Sequence, residues 1–225
     1  ALDVKKSGPN AGLEIPYDPA LIIRAQSLLL EDADKLSASR PYRFDLVDVQ
    51  RQMMTNLGQL IHRKAAEAFR SKDREAFTLH SGRFLGMLAD MDTLLRTRSE
   101  YSFDRWLTEA RSWGETEEEK NQMERDATFL VTIWGADGDP HIFDYSWREW
   151  AGLINGYYLP RWQKFYTMLQ QHLDEGTSYE EVGLPQIYGR EAFRANDFYH
   201  ALAEWELSYV CLLYTSPSPR DVEES

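Results

Sequence analysis

The sequence predicts an all-α protein, an antiparallel helical bundle of about six to seven helices. Three observations carry that expectation. Apolar residues recur at helical spacing along most of the chain, the breaks between these runs hold cap and stop residues, and no stretch alternates polar and apolar side chains as a half-buried strand would. No self-similar period points to a solenoid, and no segment is of low complexity.

The first helix starts at Asp18 as N-cap with Pro19 in its first turn. It carries Ile22, Ala25, Leu29, Ala33 and Leu36 on one stripe, and Pro41 is expected to close it. A long second helix comes next, with Leu46, Val49, Met53, Leu57, Leu60 and Ala68 at the same spacing. Ser71 caps a third, whose inner face is Phe77, Phe84, Met87, Met91 and Leu95. These three form an antiparallel bundle with short connections. A short fourth helix (Phe103, Trp106, Leu107, Ala110) ends at Gly114. Thr116 with Glu119 makes a capping box for the fifth, which runs through Met123, Ala127 and Leu130 to Trp134 and stops at Gly135. Ser146 with Glu149 is a second capping-box match that opens a sixth helix, kinked by Pro160 after Tyr158 and ended by Gly176. After a loop containing Gly183, Pro185 and Gly189, a last amphipathic helix carries Phe193, Phe198, Leu202 and Trp205.

Composition narrows the function classes. The chain has 225 residues and a formal net charge of −12, from 37 Asp and Glu against 25 Lys and Arg, and its basic residues form no patch. That disfavours nucleic acid, because phosphate binding needs concentrated positive charge. No apolar run approaches the roughly twenty residues that cross a bilayer, so no membrane partner is expected. Residues 1–15 form a polar, Gly/Pro-broken stretch and are expected to be a linker from an upstream catalytic domain; residues 16–210 are the helical domain. Cys211 to Asp221 (CLLYTSPSPRD) interrupts a helical pattern and back-translates to a string resembling a transposase sequencing adaptor. Residues 211–225 are therefore expected not to be native, and with them the only cysteine.

The densest chemistry lies between Leu130 and Trp162, which holds four of the seven tryptophans and three tyrosines around an acidic Gly/Pro turn. Aromatic faces at a loop between helices suit the apolar face of a pyranose, with nearby polar groups taking the hydroxyls. Trp134 at a helix end and Tyr145 before a helix start can project into a cleft; Trp147, Trp150 and Trp162 are expected in the core. Asp137, Asp139, Asp144 and His141 are read as turn chemistry, so no metal site is expected, and no cofactor is expected either. Asp45, Asp48 and Arg51 share a helix face as an ion pair or helix-start charges, and His80 is read as a satisfied core histidine between Phe77 and Phe84.

Two segments resemble the C-terminal all-helical domain of the alpha-N-acetylglucosaminidase family, glycoside hydrolase family 89. The first is Tyr42 to Gln52 (YRFDLVDVQRQ), at the start of a long helix. The second is Leu130 to Trp162, through Thr132, Trp134, Gly135, Asp144, Tyr145, Ala151, Gly152, Leu153, Tyr157, Tyr158, Pro160, Arg161 and Trp162. The likeness covers Pro16 to Val210. It implies a retaining exo-acting enzyme that removes terminal alpha-linked N-acetylglucosamine with two glutamates on a TIM-type barrel. No catalytic residue is expected in this chain, which alone would be inactive. Trp134, Ile142 and Tyr145 are the implied substrate-binding residues, on a helical domain packed against the barrel. The resemblance also implies an extracytoplasmic compartment: periplasmic, secreted or lysosomal. The alternative reading is a stand-alone helical module whose aromatic cluster binds a protein partner.

Overall fold

Local capping chemistry sets most helix starts. In the computed structural model the described residues are 15–134, 146–179 and 197–215. Among them lie eight α-helices and no strand: α1 (Pro19–Glu31), α2 (Ala33–Leu36), α3 (Arg40–Arg70), α4 (Arg74–Leu95), α5 (Phe103–Arg111), α6 (Glu117–Val131), α7 (Leu159–Glu175) and α8 (Asp197–Thr215). Asp18 accepts the Ala20 N–H to start α1, and Thr116 and Glu119 form the expected capping box of α6. Gly176 takes a left-handed φ of 70° after α7.

Several expected boundaries differ. The first helix breaks at Asp32 into α1 and α2. Pro41 does not close that element but sits in the first turn of α3, behind the N-cap Ser39, where its absent N–H would have had no helical acceptor. Asp73, not Ser71, caps α4 by accepting the Ala76 N–H, and Ser71 is instead the last cap residue of α3. The final helix starts at Asp197 and runs to Thr215. The expected loop glycines Gly183 and Gly189, with Pro185 and Phe193, lie outside the described residues.

The described chain forms two units, 15–101 with 162–179 and 102–134 with 146–161 and 197–215. In the first, α3 and α4 run antiparallel: Phe69 meets Phe77, His62 meets Phe84, and Gly58 faces Met87. From Trp162 onward α7 lies antiparallel to α4, with Phe84 against Trp162, Thr78 beside Gln170 and the Arg74 guanidinium donating to Leu173 O. The expected inner face of α4 is buried throughout, at Phe77, Phe84, Met87, Met91 and Leu95. The expected stripe of α3 is not. Leu57 and Leu60 are 48% and 47% exposed, while Asn56, Gly58, His62, Ala65 and Ala66 are buried. Helix α3 has neighbours on two sides, since Gln26 of α1 donates to Gln50 while α4 and α7 pack elsewhere, so a single apolar stripe could not describe it. Close approach also selects small residues: a Cβ on Gly58 would lie 2.7 Å from Met87 Cε.

The second unit is built on Phe103, Leu107, Ala127, Val131, Leu153 and Tyr157, with Trp106, Trp150, Tyr158, Trp205 and Tyr209 packed around them. Burying six such side chains, each contributing about 1.5–3 kcal/mol when large and apolar, supplies its main stabilisation. Residues 147–150 are not helical, so the expected helix from Ser146 does not form. The chain instead makes an isolated bridge between Ala151 and Ser102, in which the Phe103 N–H donates to Ala151 O at 3.1 Å. No helix among the described residues is long and apolar enough to cross a membrane.

Candidate functional site

Helix α6 ends without a glycine. Its last described turn is closed by side chains and an unusual backbone. Thr132 Oγ1 donates to Thr128 O at 2.7 Å, and the Trp134 N–H reaches back five residues to Phe129 O at 2.8 Å. Tyr158 Oη lies 3.5 Å from Val131 O, the long limit for a hydrogen bond to that carbonyl. These bonds occupy carbonyls that a helix C-terminus otherwise leaves without an intrahelical donor. The expected stop, Gly135, lies outside the described residues; Trp134 just before it is left-handed, with φ 39°. A bulky L-residue there is a genuine outlier, because its Cβ crowds its own backbone. Trp134 is partly buried, whereas Thr132 and Ile133 before it are buried.

The other wall of this unit begins at Gly152, whose φ of 89° turns the chain out of the Ala151 bridge. Residues Ile154–Tyr158 then form a π turn, and the Leu159 N–H bonds Ile154 O rather than the carbonyl one residue later. Pro160 explains the wide turn. It lacks the N–H that Gly156 O would receive in an α-helix, and its ring would collide with that carbonyl. The expected break after Tyr158 is thus a π turn. It leaves Tyr157 fully buried against Trp205, stacked at 5.8 Å and 16°, and Tyr158 partly buried toward α6. The Arg161 guanidinium lies over both tyrosine rings, at 5.5 and 5.8 Å, and pairs with the buried Glu206 carboxylate at 3.3 Å.

In the first unit, the motif Tyr42–Gln52 clamps the 3₁₀ turn Ser99–Tyr101. Phe44 stacks on Tyr101 with centroids 5.4 Å apart, and Tyr101 Oη donates to Asp48 at 2.7 Å. Burial would raise the Asp48 carboxyl, but the Tyr101 hydroxyl and the Arg51 guanidinium, 2.9 Å away, hold it below the usual range. Burial, then Asp48, pushes the Tyr101 phenol up. The Glu100 carboxyl is lowered to about 2 by its own backbone N–H, by Arg40 and by Arg98. Asp45 is exposed and takes no part in the Asp48–Arg51 pair. The Asp48, Arg51 and Tyr101 side chains thus anchor a turn.

Of the sequence-predicted site residues, Trp134 sits at the exit of α6, and Ile142 and Tyr145 lie outside the described residues. So do Asp137, Asp139, His141 and Asp144; among the described residues no group of three or more His, Cys, Asp or Glu could hold a metal ion. Trp150 packs against Trp106 in the core and Trp162 against His62 and Phe84. Trp147, expected in the core, is 51% exposed, because the helix that would have turned it inward is absent. The core histidine is not His80, which is only partly buried, but His62, whose Nδ1 lies 2.7 Å from Tyr166 Oη. Sequence reading passed over Tyr158 as a capping group; the Pro160 two residues later was the signal for its unusual placement.

Solved structures of a family 89 glycoside hydrolase from Clostridium perfringens are similar in fold. One holds PUGNAc, another 2-acetamido-1,2-dideoxynojirmycin, and a doubly substituted form holds its substrate GlcNAc-alpha-1,4-galactose. Each is 26% identical with a TM-score of 0.76, over 92% of this chain but 22% of its own. The class is therefore that of an all-α region found within larger glycoside hydrolases. Residues 2–217 match the model of the alpha-N-acetylglucosaminidase (NAGLU) C-terminal domain, and the chain belongs to that family. It is also 31% identical over 180 residues to human alpha-N-acetylglucosaminidase, covering 79% of this chain and 24% of the relative. The chain thus spans about a quarter of the length of these relatives.

Proposed function

We propose that this chain is the helical C-terminal part of a retaining exo-alpha-N-acetylglucosaminidase, and that it packs on a TIM-type barrel and lines part of the sugar pocket through Trp134, Ile142 and Tyr145. The observation that carries this reading is Trp134. Glycine would relieve its left-handed backbone, and the tryptophan that stands there instead supplies an indole. An indole at the lip of a helix offers an apolar face to the C–H side of a pyranose, and stacking excludes water from that face. A substrate-bound relative holds GlcNAc-alpha-1,4-galactose, which makes an alpha-linked N-acetylglucosamine glycan the ligand to test first. The exposed Leu57 and Leu60 on α3 support a docked neighbour, since apolar side chains on one helix gain from cover.

The chemistry divides accordingly. Two carboxyl groups on the barrel protonate the leaving oxygen and attack the anomeric carbon, while this chain supplies shape and desolvation. Alone it is expected to hydrolyse nothing, because one wall cannot enclose a sugar or supply the acid. An export signal on upstream polypeptide would place the whole protein outside the cytoplasm. The test joins the chain to its upstream coding sequence and assays release from a chromogenic alpha-N-acetylglucosaminide. Activity that drops on Trp134→Ala and on Tyr145→Ala supports the assignment; no activity in the joined protein, or full activity in both variants, overturns it.

A further inference from the structure

Two aromatic residues converge on the exit of α6, one by its backbone and one by its hydroxyl. The Trp134 N–H is bonded to Phe129 O, and two carbonyls further along Val131 O accepts from Tyr158. Tyr158 closes the π turn Ile154–Tyr158, which adds one residue to the helical register, a rotation of about 100° relative to an α-helix. Its ring is fixed from behind by Arg161, which Glu206 holds, and from the side by Tyr157, edge-on at 5.2 Å. Resting on the sugar-wall reading of Trp134, we infer that Tyr158 is a positioning residue for Trp134: capping the last turn of α6, it fixes the backbone from which the indole is displayed.

The inference gives the two halves of the aromatic segment separate roles. Thr132 and Trp134 form the display end, and Tyr157, Tyr158, Pro160 and Arg161 form the clamp that aims a hydroxyl at it. Val131 is buried in the same cluster against which Tyr158 packs, so removing the hydroxyl alone leaves the packing in place. Without the hydroxyl, the last turn of α6 loses a contact at Val131 O, and Trp134 samples other φ values.

The test is Tyr158→Phe, which keeps the ring. In the joined protein labelled with 5-fluorotryptophan, the Trp134 fluorine resonance is assigned by its loss in Trp134→Phe. The expected result is that Tyr158→Phe shifts or broadens the Trp134 resonance, while those of Trp106, Trp150 and Trp205 in the core cluster hold still. A general loosening of the unit would move the core signals together, and an unmoved Trp134 signal would show no coupling; either overturns the inference. In the joined enzyme, Tyr158→Phe is expected to raise KM about threefold with kcat nearly kept, as the loss of one modest hydrogen bond allows. Tyr158→Phe combined with Trp134→Ala should be no worse than Trp134→Ala alone, and additive losses would contradict positioning. If Trp134→Ala leaves KM unchanged, the sugar-wall reading fails by itself, and the fluorine spectra still decide whether Tyr158 fixes Trp134.

Discussion

A left-handed backbone costs an L-residue about 1–2 kcal/mol that glycine does not incur, and Trp134 sits at φ 39°. Trp134→Gly and Trp134→Ala both delete the ring, so the difference between them isolates the backbone. Urea unfolding is expected to find the glycine variant more stable than the alanine variant by about 1 kcal/mol; the reverse order would show that position 134 is not strained. The residue scale is also where sequence reading was weakest. Trp134 could be placed at a helix end from its spacing, but its φ depends on which hydroxyls reach the α6 carbonyls, and Tyr158 lies 27 residues from the carbonyl it caps. His62 escaped notice because its value comes from Tyr166, 104 residues on, and no local pattern marks such a pair.

At the scale of elements, the features set by neighbouring residues were legible. The capping box at Thr116 and Glu119, the stop at Gly176 and the α4 face from Phe77 to Leu95 follow from local geometry. The same cap pattern at Ser146 and Glu149 misled, because Ala151 just beyond it pairs with Ser102 and Phe103 instead of continuing a helix. Expected burial on α3 failed where a helix serves two partners. Two elements invite direct measurement. A Cβ on Gly114 would lie 2.8 Å from backbone atoms of Glu119 and Lys120, which cannot retreat like a side-chain tip. Gly114→Ala is expected to destabilise the chain by about 1–3 kcal/mol, read as a lower urea midpoint; an unchanged midpoint would mean that the α5–α6 turn is open. Asp73→Ala removes the α4 cap and is expected to cost about 1 kcal/mol, with Asp73→Asn retaining most of it.

For the whole molecule, charge and surface make separate predictions. Asp48 and Glu100 titrate lower when folded than their ordinary values of 3.8 and 4.5. Their contribution to stability is therefore full above about pH 5 and is lost as the pH falls toward about 2. Thermal melts from about pH 5 to about pH 2.5 should show that loss, with a shallower slope in Glu100→Gln; equal slopes would remove Glu100 as a source. Leu21 and Leu28 on α1 and Leu57 and Leu60 on α3 are all about half exposed, so the chain by itself is expected to bind an apolar dye and aggregate, and to do so less when joined to the rest of the polypeptide. The fold class was evident from periodicity and caps alone. The proposed sugar wall rests on the family resemblance, which implies Trp134, Ile142 and Tyr145, and on the left-handed backbone of Trp134; an aromatic cluster alone fits a core as well as a ligand. The most direct measurement is KM for a chromogenic alpha-N-acetylglucosaminide in the joined enzyme, before and after Trp134→Ala. A rise of about tenfold, the loss of one aromatic contact, is the predicted result, and an unchanged KM with intact folding would contradict the assignment.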